Sequence, residues 1–335
     1  MAVHGSIDHI VIIVKENHTF DNYFGRFPGA NGDAHLGNAA NPPPKDPDHK
    51  HQTWMARAGV TEFKVQYGRK DIEPYFRLAE QFTLCDNYFS EVAGPSTPNH
   101  LMLICADSPF INNPKNHYRP APNETVVMPS LPKQLEAKKL AWANYGGYAF
   151  QYVKDLKGHK ANHKSDQFVQ DAAAGKLASV SWLYGEGGGL SEHPKQNITD
   201  GANWTAQQID AVVRGGLWKR TAIIITWDDW GGWYDHVAPP EVEKWAGPPG
   251  DNPDDRHLDF KGQQFRYGSR VPCLVVSPFA KKGHISHQLN SHVSVVKFCA
   301  DIFKLAPLNK RATQSNGLSD CFDFGQAPLA PPKLA

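Results

Sequence analysis

The chain has 335 residues, 35 of them basic and 34 acidic, for a formal net charge of +1. That balance gives no electrostatic case for a nucleic-acid partner. With 40% hydrophobic and 21% charged residues it has the composition of a globular rather than a disordered protein, and no apolar run approaches the ~20 residues of a membrane span.

In chain order, the first strong element is Ile10-Val11-Ile12-Ile13-Val14. An unbroken β-branched run of this kind predicts a strand buried on both faces of a sheet. Glu16 and Asn17 follow directly, at the rim where open α/β sheets bind ligands. Locally, Asn17 or Thr19 also reads as a helix cap. Apolar spacing predicts helices over Ile72–Gln81, Asp166–Ala174, Ala202–Leu217 and Val293–Leu305, and strands over Ala178–Trp182, Ala222–Thr226 and Pro272–Ser277. This alternation predicts an α/β fold with a doubly wound, mostly parallel central sheet flanked by helices. Long rim loops are expected over Gly29–Asp48, Ser108–Asn123 and Ala238–Phe260, which are rich in Pro, Asn, Asp and Gly. None reads as a linker, so a single domain spanning 1–335 is expected, with residues 328–335 as an extended tail. The N-terminus lacks the pattern of a secretory leader, so the chain as given reads as cytoplasmic, or as secreted or periplasmic if trimmed. Five cysteines without a C-x-x-C pair argue against a disulfide framework or structural zinc. Oligomeric state has no signature here.

Three segments carry candidate chemistry. Ser96 lies in the Gly-Pro turn of Gly94-Pro95-Ser96-Thr97-Pro98-Asn99-His100, ahead of the apolar Leu101–Ile104. A serine at such a helix start aims its hydroxyl and nearby backbone N–H groups at one spot, which suits a nucleophile attacking an anion; Thr97 is a rival nucleophile. Ile223–Thr226 runs into Asp228 and Asp229 and then a Gly-Gly turn. Adjacent aspartates repel each other unless a cation or strong donors compensate. Glu16, Asn17, Ser96, Asp228 and Asp229 form an oxygen-rich, hard-cation ligand set that tolerates Ca²⁺, Mg²⁺, Mn²⁺ or Zn²⁺. His193, His236 and His292 stand in similar rim settings and can give a proton to a leaving oxygen near neutral pH. Asn99, His100 and Trp230 are candidate substrate contacts, the last with other aromatics that could line an acyl-facing or choline-binding rim.

Read together, Glu16-Asn17-x-Thr19-Phe20-Asp21, Gly94-Pro95-Ser96-x-Pro98-Asn99-His100, Ser191-Glu192-His193-Pro194, Thr226-Trp227-Asp228-Asp229-Trp230-Gly231-Gly232 and the following Tyr234-Asp235-His236 resemble the bacterial phospholipase C / acid phosphatase family of phosphoesterases, within the alkaline-phosphatase-like superfamily. The resemblance runs from about Ile7 to Leu305. It implies metal-binding positions at Glu16, Asn17, Asp228 and Asp229, a metal-touching nucleophile at Ser96, and His193, His236 and His292 near the phosphoryl group. It further implies one or more divalent metals and a small-molecule or phospholipid phosphoester as substrate. Many phospholipase-type members have threonine where this chain has Ser96, and longer ones carry C-terminal β-rich domains for which this chain has no room. Both departures weaken a lipid assignment without touching the chemistry. The related sulfatases mature a Ser or Cys in S/C-x-P-x-R; here His100 stands where the arginine is needed. A non-catalytic metal or phosphate binder is the rival of another class.

Overall fold

The computed structural model describes residues 6–57, 63–115, 118–120, 125–187, 189–248 and 258–334. Parts of two expected rim loops, 116–117 with 121–123 and 249–257, lie outside them.

Eight strands build the central sheet: β1 (His9–Lys15), β2 (Thr83–Cys85), β3 (Trp142–Tyr145), β4 (Asn162–His163), β5 (Val180–Tyr184), β6 (Thr221–Trp227), β7 (Cys273–Val276) and β8 (His284–Ser286). Their spatial order is β8-β2-β7-β6-β1-β5-β3-β4. Seven run the same way; β7 alone is antiparallel, between β2 and β6. The fold class expected from the alternation of elements is therefore the one observed. Strands β1 and β6 occupy the middle and are almost wholly buried, as their β-branched runs require.

Side-chain alternation assigns the two faces. Ile12 and Trp182 are register partners, and the Trp182 indole donates to the Leu103 carbonyl, so that face is covered by α1 (Ser96–Cys105). Three residues on, Lys15 points the other way, against Trp204 of α2 (Ile198–Arg214). Helices Glu73–Gln81 and Gln167–Ala173 pack with α2, whereas α3 (His292–Phe303) packs with α1. Helices thus cover both faces.

The expected helices and strands appear with ends shifted by a few residues; α2 starts four residues earlier than the apolar spacing indicated, with the Asn197 side chain capping it. Residues 328–334 have no regular structure, but the Leu329 N–H donates to Pro278 O, the Trp218 indole donates to Leu329 O, and Lys333 and Gln81 bond to each other. No helix among the described residues is long and apolar enough to cross a membrane.

Candidate active site

Strand register creates the site. Parallel pairing of β1 with β6 ends at Lys15↔Trp227, so the next residues, Glu16 and Asp228, leave the sheet side by side at its carboxyl edge. Since Lys15 faces α2, alternation turns Glu16 toward α1, where His100 Nε2 lies 3.5 Å from Glu16 Oε1 and 3.1 Å from Asp228 Oδ2. Asn17 takes a left-handed backbone conformation (φ 62°) and its N–H donates to Asp228 Oδ1 at 2.8 Å. The following turn fits only because Gly231 has no Cβ: one would sit 2.1 Å from Asn17 O. Thr19, not Asn17, is the residue that caps a helix, the short Phe20–Phe24 turn.

Ser96 opens α1 and lines a cleft of about 590 Å³. Its Oγ lies 3.0 Å from Asp229 Oδ2 and 3.2 Å from Asn17 Oδ1. The rival Thr97 faces Tyr148 instead, and its N–H donates to Asn113 Oδ1. With Pro98 lacking an N–H, the helix start offers fewer free donors than its sequence suggested, and the charge of an anion there must be met mainly by side chains or a cation.

Glu16, Asp228 and Asp229 crowd together, and among the described residues no Lys or Arg lies within ion-pair distance of them. Burial and then the charges of Asp228 and Asp229 push the Glu16 carboxyl well above its ordinary range; burial and Asp228 do the same to Asp229. Asp228 goes the other way. Burial raises it, but the His100 hydrogen bond and charge, with the Asn17 N–H and Ser96, outweigh that and hold it low. Ligand atoms of Glu16, His100 and Asp228 all lie within 4.8 Å of one another. Three clustered carboxylates with one amide oxygen, one hydroxyl and an imidazole form a donor set with excess negative charge, and it fits a divalent cation.

The histidine candidates and Asn99 separate. His193 lines the cleft together with Ser96. His292 does not reach it: the ring is fully buried, Nε2 donating to the Asp228 carbonyl at 2.6 Å and Nδ1 facing the Tyr88 hydroxyl at 3.0 Å. It braces the backbone of the Asp-Asp pair. His236 lines a different depression, with Nδ1 on Asp21 Oδ2 at 2.7 Å. Asn99 is also displaced from its expected role. Fully buried, it spends its amide on Val92, Gly94 and Pro95, shaping the turn that presents Ser96. His100, expected at substrate, stands among the carboxylates, because a spacing of four puts it on the helix face of Ser96. Trp230 is buried and its indole donates to His49 O, holding the 46–50 segment against the cleft.

Two features were missed in the sequence. His49 lines the cleft, its Nδ1 on Pro47 O and its Nε2 3.4 Å from Asn17 Nδ2. It sits in a proline-rich loop with no periodicity to mark it. Glu192, next to His193, forms a fully buried ion pair with Lys15 at 3.1 Å and accepts hydrogen bonds from Tyr23 and Tyr75. The pair locks the residues preceding Glu16 and His193 to each other.

The Phosphoesterase family profile matches residues 7–46 and 38–306, and the chain belongs to that family, whose members are hydrolases acting on phosphoric ester bonds. It is 25% identical over 419 residues to phospholipase C B of Mycobacterium tuberculosis, covering 96% of this chain and 78% of that protein. It is 25% identical to the non-hemolytic phospholipase C of Pseudomonas aeruginosa, covering 95% of this chain and 57% of that longer protein. Among solved structures, murine ectonucleotide pyrophosphatase / phosphodiesterase 5 superposes with a TM-score of 0.53 at 9% identity, over 94% of this chain and all of that one. A sulfatase from Pseudoalteromonas sp. does so with 0.52 at 12% identity, over 96% and 74%. These two likenesses show a shared fold and nothing finer.

Proposed function

We propose that the chain hydrolyses phosphate esters through a phosphoserine at Ser96, at a site that binds a divalent cation. The observation that carries this reading is the Ser96 hydroxyl, 3.0 Å from the Asp229 carboxylate at the floor of an open cleft. Glu16, Asn17, Asp228 and Asp229 would hold the cation, with His100 beside Glu16 and Asp228. When bound, such an ion offsets the carboxylate charge, polarises a phosphoryl oxygen and favours the ionised serine hydroxyl.

The chain's own residues then divide the work. Asn17 and Asp229 orient Ser96 Oγ, and Asp229 takes its proton as Oγ bonds to phosphorus. The bond from phosphorus to the leaving oxygen breaks, and His193, on the cleft wall, gives that oxygen a proton. Water then attacks the phosphoserine as His193 takes a proton from it; the bond from phosphorus to Oγ breaks, Asp229 returns its proton to Oγ, and phosphate or a phosphomonoester departs. Lys50 and Lys115 line the same cleft and add positive charge toward the substrate. The His100 imidazole is committed to Asp228 where a sulfatase needs arginine, which supports phosphoryl over sulfuryl transfer.

Leaving groups of two kinds fit this chemistry: a small alcohol, as in a phosphomonoesterase, and a lipid alcohol, as the names of the phospholipase relatives suggest. Acid-quenched turnover of para-nitrophenyl phosphate, with mass spectrometry of the Ser96 peptide, tests the intermediate; phosphate on another residue would refute it. Comparing that ester with para-nitrophenyl phosphocholine tests the leaving group; a preference for the diester supports the phospholipase reading, and a preference for the monoester supports the phosphatase one.

A further inference from the structure

Of Glu16, Asn17, Asp228 and Asp229, only Asn17 has a side chain with two unlike ends. A carboxylate presents oxygen either way it is turned, whereas an amide rotated by half a turn presents N–H groups, which repel a cation. Asn17 is fully buried, its φ is 62°, and its backbone N–H donates to Asp228 Oδ1 at 2.8 Å. Those features fix its backbone but not which end of the amide faces the carboxylates.

Two neighbours touch the amide. Its Oδ1 lies 3.2 Å from Ser96 Oγ, but a hydroxyl can accept as well as donate, so Ser96 tolerates either end. Its Nδ2 lies 3.4 Å from His49 Nε2. His49 does discriminate. Its Nδ1 is 2.8 Å from Pro47 O, and a carbonyl only accepts, so Nδ1 carries the hydrogen and Nε2 of the neutral ring presents a lone pair. That lone pair accepts from an amide N–H and repels an amide oxygen. At 3.4 Å the contact is long and adds little attraction; its effect is to select one orientation over the other. His49 is itself anchored by the turn that follows the Asp-Asp pair. The Trp230 indole donates to His49 O at 3.0 Å, and the loop lies so near Gly232 that a Cβ there would be 2.5 Å from Pro47 Cβ.

We propose that His49 is a positioning residue: it holds the Asn17 amide so that Oδ1 faces Ser96 and the carboxylates, keeping an oxygen turned toward the cation. The inference rests on the cation site of the proposed function and is independent of the phosphoserine. An aspartate at position 17 would need no such orientation, but it would add a charge to three carboxylates already crowded together. Amide and histidine together supply the oxygen without that charge.

The test is calorimetric titration of Mg²⁺, Ca²⁺, Mn²⁺ and Zn²⁺ into chelator-stripped protein, without substrate. For an ion that binds wild type, His49→Leu is expected to weaken affinity by about tenfold or more, the usual effect of losing a residue that orients a ligand. His49→Gln, whose amide oxygen falls near the place of Nε2, is expected to recover much of that loss. In Asn17→Asp either orientation offers oxygen, so adding His49→Leu there should change affinity by less than about threefold. Circular dichroism verifies each fold; should Asn17→Asp not fold, the comparison of His49→Gln with His49→Leu decides, and equal losses in the two would overturn the proposal. Unchanged affinity in His49→Leu would overturn it as well. So would the same loss with and without Asn17→Asp, since His49 would then act on the ion or the loop directly. Absence of any ion binding to wild type would remove the cation site and this inference together, whereas binding indifferent to His49→Leu would remove the inference alone.

Discussion

Lys15 and Trp227 are the last register partners of two adjacent parallel strands, and this one pairing sets Glu16 beside Asp228. Residues 212 positions apart in sequence become neighbours without any long side chain having to reach. The site is thus an extension of the sheet, and its carboxylates are held by backbone that is buried on both faces.

The crowding of these carboxylates has a measurable cost when no cation is present. Asp229→Asn removes one charge from the cluster, so in chelator this variant is expected to melt higher than wild type. Adding Mg²⁺, Ca²⁺, Mn²⁺ or Zn²⁺ in turn should reverse the order for the ion that binds. At a hundred times its dissociation constant that ion stabilises wild type by ~2.7 kcal/mol, and the variant by less. Thermal scans that show no crossing for any of the four would remove the metal from the account.

Proton delivery separates the histidines. His193→Ala is expected to lower kcat by about 100-fold or more on phenyl phosphate, whose leaving oxygen needs a proton. On para-nitrophenyl phosphate, a better leaving group, the loss should be markedly smaller. His236→Ala should change neither rate by more than about threefold, well under 1 kcal/mol of barrier. An equal loss for His193→Ala on both esters would assign it to positioning.

The Lys15–Glu192 pair makes a stability prediction. Both side chains are fully buried, so Glu192→Gln leaves an uncompensated ammonium and should cost about 3 to 5 kcal/mol in denaturant unfolding. Lys15→Met combined with Glu192→Gln should recover much of that loss. If the double variant were as unstable as the sum of both single ones, the pair would not be coupled.

His292 should act through Asp228. His292→Phe leaves the Asp228 carbonyl without its buried donor and is expected to cost about 1 to 3 kcal/mol of stability. It should also weaken metal affinity, read by calorimetry, because the backbone of the Asp-Asp pair loses its brace. Unchanged affinity would limit His292 to a packing role.

What the sequence made legible follows from where its signals are strong. Strands β1 and β6 announce themselves by β-branched runs, and the acidic and amide residues after them fall at the rim as expected. Strands β2, β3, β4 and β8, of two to four residues, carry no run long enough to show a period; neighbouring strands decide their pairing. Asn99 and His292 looked like cleft residues because polar groups near a nucleophile attract that reading. In the fold they are spent on backbone, one on the Ser96 turn and the other on Asp228. His100 was the recoverable case, since its spacing of four from Ser96 already placed both on one helix face. His49 was not, because contacts distant in sequence, among them the Trp230 indole and Asn17, bring its loop to the cleft.

The central claim is that Ser96 forms and breaks the bond to phosphorus. The direct test is steady-state hydrolysis of para-nitrophenyl phosphate by Ser96→Ala, with its fold verified by circular dichroism. A fall in turnover of about 1,000-fold or more, ~4 kcal/mol of barrier, is the expected result. Turnover within about tenfold of wild type, ~1.4 kcal/mol, would contradict the account.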